Sequence, residues 1–376
     1  MRTSAAACLA IPVLAALLRA QGTYIVSTAA TGAFTEITTA VAAVPNGSVL
    51  IVRPGTYARV VVDAKHVAIL CDPDVFAAGN PFLEISNIAA SQRVVVRGLR
   101  ASGSGGLSVN GAAGRVAIDG TNTIVNNGCS FFMASQVCLR GYVFWGASNV
   151  MDSQVVLEAC SFAGLGPGAP ALAAYTSTVQ AVQCSFVGGA GVVVPKFGAL
   201  PGGPGVQLSN SSFRAMGRTS DRILAGGSPP GFSVPPVQGT GSARVEPAIL
   251  VQGSAPVSAG IAFSRPVMPS LLAASGPPGG AITVTRFGAT GLAFVVVVSL
   301  PGPVGTVPGL ADPVWLDLAS ANVEALAIAY GSGGFQVQKP VPMLLQLRGV
   351  ELHWHAIDLE LNGGYTVSNP SHCVVH

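Results

Sequence analysis

The chain has 376 residues, only 9% of them charged, and a formal net charge of +3. So sparse a charge excludes a nucleic-acid binder, which needs a basic stripe to displace counterions from phosphate. Mean hydropathy is high at +0.56, yet apolar runs beyond the N-terminus, such as LAFVVVV at 292–298, fall far short of the ~20 residues that span a bilayer. Val-rich runs broken by 47 Gly and 27 Pro predict an all-β chain full of turns.

Residues 1–20 read MRTSAAACLAIPVLAALLRA, with Arg2 ahead of an apolar core and Ala20 as a small residue for cleavage. This pattern predicts an export signal and a secreted, periplasmic or cell-surface protein. Cys8 lies within the apolar run rather than at its end, which argues against a lipid anchor. After cleavage Cys71, Cys129, Cys138, Cys160, Cys184 and Cys373 remain, an even set that permits disulfides in an exported chain. No CxxC occurs, so zinc-ribbon and thioredoxin-like readings have no support.

In residues 34–44 (FTEITTAVAAV), Phe34, Ile37, Val41 and Val44 share one helical face, predicting a capping helix. Pro45-Asn46-Gly47 ends it, and NGSVLIVRPGTY (46–57) follows as strand, turn and strand. From there the chain repeats. Segments starting at Val94, Val116, Val137, Val155, Val179 and Val206 superpose at offsets of 22, 21, 18, 24 and 27 residues, as solenoid coils with loops of varying length do. Two places after each start comes Val96, Ile118, Leu139, Leu157, Ala181 or Leu208, the period of a strand with a buried face. Four places after it come Gly98, Gly120, Gly141, Ala159, Gln183 and Asn210, of which Gly and Asn suit a left-handed bend. A later column, Ala101, Thr123, Phe144, Phe162, Phe186 and Phe213, predicts an internal aromatic stack rather than a sugar platform. Cys160 and Cys184 share another column, where a disulfide and stacked thiols are both open.

Three places after each start the column reads Arg97, Asp119, Arg140, Glu158, Val182 and Ser209. Alternation directs it outward, predicting a surface ladder of ion pairs, each contributing at most about 1 kcal/mol. The catalytic reading takes Asp119 and Glu158 as a carboxylate pair, with Arg97 and Arg140 gripping a sugar chain. Two rungs put those carboxylates roughly 9–10 Å apart, at the edge of the ~6.5–9.5 Å an inverting glycosidase uses. Arg140 between them would lower the pKa of the intended acid. The ladder is the favoured reading.

GAFTEITTAVAAVPNGSVLIVRPGTYARVVV (32–62) resembles the opening of the pectate-lyase-like right-handed parallel β-helix superfamily, and units such as VVLEACSFAG (155–164) resemble its coils. The resemblance covers roughly residues 22–260 and implies a polysaccharide-directed protein. The superfamily's catalytic sets are missing: no Asp-Asp with Gly-His-Gly, no calcium-holding acidic cluster, and no DFIFG aspartate, although Gly55-Thr56-Tyr57 is similar to the pectinesterase opening. Asp221-Arg222 in a loop reads as a solvated pair.

Coil spacing ends after Phe213, and residues 225–247 are rich in Gly and Pro. From about Pro266 separate alternating strands predict a small β-sandwich, similar to a C-terminal module of secreted bacterial β-helix proteins in Pro340-Val341-Pro342, Leu347-Arg348-Gly349 and Val367-Ser368-Asn369. In LHWHAID, His353 and His355 share a strand face and are candidate metal ligands, with Asp358 or His372 completing a site. Asn46 and Asn210 head glycosylation sequons.

The sequence therefore predicts an all-β protein: a signal peptide at 1–20, a capped right-handed parallel β-helix at 21–262, and a β-sandwich at 263–376. The expected role is extracellular polysaccharide binding or display without a recognisable catalytic site or a cofactor. The expected partner is a polysaccharide or cell-surface glycan, with no nucleic acid and no membrane span. The alternatives are a polysaccharide lyase or glycoside hydrolase, and an adhesin-like structural protein. A binding protein would expose aromatics such as Trp145; an enzyme would line a cleft with clustered acids.

Overall fold

A computed structural model describes residues 22–29, 31–195, 198–308, 310, 312–328, 334–359 and 363–376. The expected export signal at 1–20, with Cys8, lies outside the described residues.

Residues 37–43 form the capping helix, Ile37–Ala43, with Ile37, Ala40 and Val41 buried against the first coils. Ser48–Val52 and Gly55–Tyr57 are the first full turn. Tyr57 is buried there, and its hydroxyl donates to the Arg53 carbonyl at 2.8 Å, closing the Arg53-Pro54-Gly55 bend. The chain then winds as an all-β parallel solenoid with three faces. On the first face Ser48, Val67, Val94, Val116, Val137, Val155, Val179, Phe213, Ala243 and Phe263 pair in sequence, each with the next. The second face carries Ser161–Ala163, Ser185–Val187, Arg222–Leu224 and Leu250–Gln252 in parallel register. The third carries Leu83–Ser86, Leu107–Asn110, Cys129–Phe132, Ser148–Met151 and Leu172–Tyr175.

Two predicted columns shift. Val206 pairs with Leu172 on the third face, and Phe213 takes the place opposite Val179. The long strand Val206–Met216 rounds the corner between faces, so a run of seven residues looks like the start of a coil before the coil's first face begins. A register break between Asp119 and Thr123 likewise puts Val125, not Thr123, beside Phe144. The aromatic stack is inside, as expected: Phe144, Phe162 and Phe186 lie with ring centroids 5.3 and 5.2 Å apart. Phe213 meets Phe186 edge-on at 5.6 Å from its own column.

The corner after the first face is left-handed at Gly98 (φ +77°), Gly141 (+70°), Ala159 (+50°) and Gln183 (+52°). Asn210 (+50°) belongs instead to the opposite corner with Asp152 and Thr176. A Cβ on Gly98 would stand 2.8 Å from the Cys71 carbonyl oxygen. Gly98→Val is therefore expected to cost about 1–3 kcal/mol, from strain and this clash together. The check is thermal unfolding, with Ala159→Gly as a near-neutral control. Inside the turns, hydroxyls and thiols stack to satisfy backbone donors. Ser177 Oγ accepts the Ser153 amide and Ser211 Oγ the Ser177 amide, both at 3.1 Å. Cys184 Sγ accepts the Cys160 amide at 3.4 Å, and the six cysteines among the described residues are free thiols.

After Ile261–Ser264 the pairing becomes antiparallel. Ser270–Ala274, Ala281–Phe287 and Phe335–Pro340 form one sheet. Ala293–Ser299, Asn322–Ile328 and Glu351–Leu359 form another, which Tyr365–Val367 and Ser371–Val374 extend. Leu271, Ile282 and Val284 of the first pack with Phe294, Val296 and Trp354 of the second in one core. This C-terminal unit lies on the first face of the solenoid.

Candidate functional site: a closed seam and an open groove

On the first face the outward positions are not uniformly polar. Between the polar or charged outward positions of these strands stand Val95, Ala117, Cys138 and Val156, all buried. Val374 joins Val49, Ala68, Leu70, Val95 and Ala117 in one buried apolar cluster, and Trp315 joins Cys138 and Val156 in another. These strands are covered on both sides, as runs such as RVVVR fit better than strict alternation does.

The charged stripe is inside this seam, which corrects the expectation of a solvent-facing ladder. Asp119, Arg140 and Glu158 are consecutive in register, as predicted. Arg97 Nε lies 3.8 Å from Asp119 Oδ2. Arg140 donates through Nε to Glu158 Oε2 at 2.8 Å and through Nη2 to the His372 carbonyl at 2.7 Å. Asp119 is 7% exposed and Glu158 not at all. Burial pushes the Glu158 carboxyl up despite the adjoining guanidinium. Burial alone would lower Arg140, but Glu158 and Asp119 hold it above its usual value. The stripe is covered because the C-terminal strands bring apolar side chains and carbonyl acceptors onto it, a partnership separated by more than 200 positions in sequence. An acid pair approached by a sugar chain is not what this geometry presents.

Other arginines cross the seam in the same way. Arg115 and Gln136 donate to the Gly302 carbonyl at 3.3 and 3.2 Å. Arg214 reaches the Val367 carbonyl at 3.1 Å and Asp312 at 3.0 Å, and Arg244 also reaches Asp312. Arg214, Trp315 and Asp312 were invisible as partners in the sequence. The only hint was the apolar middle column at Val95, Ala117, Cys138 and Val156.

His353 and His355 are both fully buried. Instead of pointing at a shared metal position, they grip one residue. His353 Nδ1 meets the Trp315 carbonyl at 3.1 Å, and its Nε2 meets Glu351 Oε1 at 2.7 Å. His355 Nε2 accepts the Trp315 amide at 3.1 Å. The proposed completing ligands are committed elsewhere: Asp358 is paired with Arg286 through a 3.0 Å bond, and His372 lies against Glu158 at 3.8 Å. No cluster of three or more His, Cys, Asp or Glu placed to hold a metal occurs among the described residues. The metal reading of His353 and His355 is thus corrected.

The second face is open. Its outward columns run Ile124, Val143, Ser161, Ser185 and, alongside, Trp145, Ala163, Val187, Leu224. Of these, Val143, Trp145, Ser161, Ala163, Ser185 and Val187 line a groove of about 210 Å³ with Arg222 at its edge. Trp145 is 48% exposed, and its column neighbours Ala163 and Val187 are too small to cover the ring. Arg222 is exposed and makes no ion pair among the described residues. Asp221, expected to be a solvated partner, is buried and accepts the Arg218 amide at 2.7 Å, so it shapes the loop that ends at Arg222.

No protein family's sequence profile matches the chain, and no curated protein is similar to it. Among solved structures it is similar to the full-length tailspike protein 2 (TSP2, ORF211) from Escherichia coli O157:H7 bacteriophage CAB120, at 10% identity and a TM-score of 0.26. The likeness covers 85% of this chain and 61% of the tailspike. The parallel solenoid itself rests on the strand register described above.

Proposed function

We propose that this is an exported, surface or extracellular protein that binds polysaccharide along the second face of its solenoid. The reading includes a right-handed β-helix over 21–262 of the pectate-lyase-like type and a β-sandwich over 263–376. The observation that carries it is the half-exposed Trp145 over a groove floored by Ser161 and Ser185 and edged by Arg222. An indole face offers apolar contact to the C–H side of a sugar ring, while hydroxyls and a guanidinium supply hydrogen bonds around it. The lyase or hydrolase reading is less supported, because its candidate carboxylates Asp119 and Glu158 are enclosed beneath the C-terminal unit.

The test is a panel of polysaccharides scored for binding and for new reducing or unsaturated ends. One glycan class is expected to bind without cleavage, and Trp145→Ala should weaken it about tenfold or more. New chain ends would support the enzyme reading, and no binding across the panel would support a structural role.

A further inference from the structure

We propose that His355, from within the C-terminal unit, seats Trp315 as the wedge that packs on the solenoid, and that this acid-sensitive clasp lets the wedge go when His355 takes a proton. Trp315 is the wedge of the seam: its side chain is 2% exposed and packs on Cys138 and Val156 of the first face. Its strand, Val314–Leu316, is short, and its backbone is gripped through the carbonyl by His353 and through the amide by His355. Because His355 Nε2 accepts the Trp315 N–H at 3.1 Å, that nitrogen must carry a lone pair in the closed state. A proton added there turns an acceptor into a second donor facing a donor. The hydrogen bond is lost, and a new cation appears in a dry interface.

The surroundings oppose that proton. His355 is faced by His353 on its own strand and by Arg214 from the solenoid; burial first, and then these two groups, lower its pKa to about 3. Nearby in the same seam, His372 faces Arg140 and Glu158 from the solenoid and Glu351 and His353 from its own sheet. It too is pushed down, by burial first and Arg140 next. Glu351, lowered to about 2, loses its stabilising charge only below its ordinary 4.5. Glu158 is raised and acts in the opposite sense, favouring closure as the pH falls.

For His355 the closed form rejects a proton that the open form binds near its ordinary 6.5. The clasp is therefore at full strength above that pH and weakens as the pH falls toward 3. His355 alone should raise the open-to-closed ratio by about tenfold per pH unit, on the order of a hundredfold by pH 4.5, with His372 adding to this and Glu158 offsetting it. Opening would uncover the Arg97–Asp119–Arg140–Glu158 stripe.

The experiment is amide hydrogen exchange on the intact protein at pH 7 and pH 4.5, corrected for the intrinsic rate. It follows the Trp315 amide against a solenoid core amide such as that of Leu157. The expected result is a loss of Trp315 protection on the order of a hundredfold with the Leu157 amide unchanged. In His355→Gln, whose amide oxygen accepts the Trp315 N–H without titrating, the pH dependence should shrink by the hundredfold share that His355 contributes. If the variant fails to fold, histidine ring ¹⁵N shifts of the unsubstituted protein decide. At pH 4.5 His355 Nε2 should still be unprotonated in the predominant closed form, because the proton is taken up only in the open form that exchange detects. Trp315 protection that does not change with pH would overturn the clasp. So would protection lost in step with Leu157, a His355→Gln profile like the parent's, or Nε2 protonation without loss of protection.

Discussion

Removing the Arg140 side chain should destabilise the docked protein by about 3–5 kcal/mol, the usual cost of stripping one partner from a buried ion pair. Arg140→Ala leaves the Glu158 carboxylate fully buried without its guanidinium and frees the His372 carbonyl as well. The damage should be local first. In urea, exchange at Ser371–Val374 and Val314–Leu316 should rise well before the inner solenoid strands open. A combined Arg140→Met and Glu158→Leu change should recover most of the loss, since an apolar pair of similar volume removes the stranded charge. If Arg140→Ala changed stability by less than about 1 kcal/mol, the pair would be behaving as a solvated surface bridge, and the closed seam would be wrong.

Phe162→Ala should cost a comparable amount, about 3–5 kcal/mol, but within the solenoid rather than at the seam. Phe162 is 1% exposed and lies between Phe144 and Phe186, so truncation opens a void flanked by two rings in a ladder with no room to collapse. Phe162→Leu should cost much less, under about 1.5–2 kcal/mol, because most of the volume is kept. Thermal unfolding should show a fall in the solenoid transition for the alanine variant alone. Equal effects for both variants would mean that the stack contributes little through packing.

How much of this was legible in the sequence depended on range. The solenoid was readable because neighbouring coils carry the same residue types at the same positions: Val137, Val155 and Val179, or Phe144, Phe162 and Phe186, announce their own pairing. The capping helix and the Tyr57 bend were likewise local. Register failed where a strand ran round a corner, as at Val206–Met216, since both halves look like a coil's opening. The seam was not legible from the charged column alone. Alternation says that Arg97, Asp119, Arg140 and Glu158 face away from the solenoid interior, and they do; it cannot say that His372 returns onto Arg140 and Glu158 while Val374 and Trp315 join the apolar positions beside them. Cys138 and Val156 in the outward column between those charges were the available warning. The same limit applied to His353 and His355: their shared face was predictable from period two, but the Trp315 peptide they hold was not. Trp145, named from the sequence as exposed in a binding protein, is exposed because its column continues as Ala163 and Val187 rather than as another ring.

Cys138 offers the most direct measurement of the closed seam. It points out of the solenoid, yet it is 3% exposed beneath Trp315, and burial pushes its thiol far above its ordinary pKa. Maleimide labelling of the native protein at pH 7.5, read by peptide mass spectrometry, therefore separates a covered stripe from an open one. The covered stripe predicts that Cys138 stays unlabelled while the solenoid is folded, in the same class as the inward-facing Cys160 and Cys184, and is labelled once the seam opens. Fast labelling of Cys138 with Cys160 and Cys184 still protected would show that the first face is open to solvent, returning Asp119 and Glu158 to the position of an accessible acid pair.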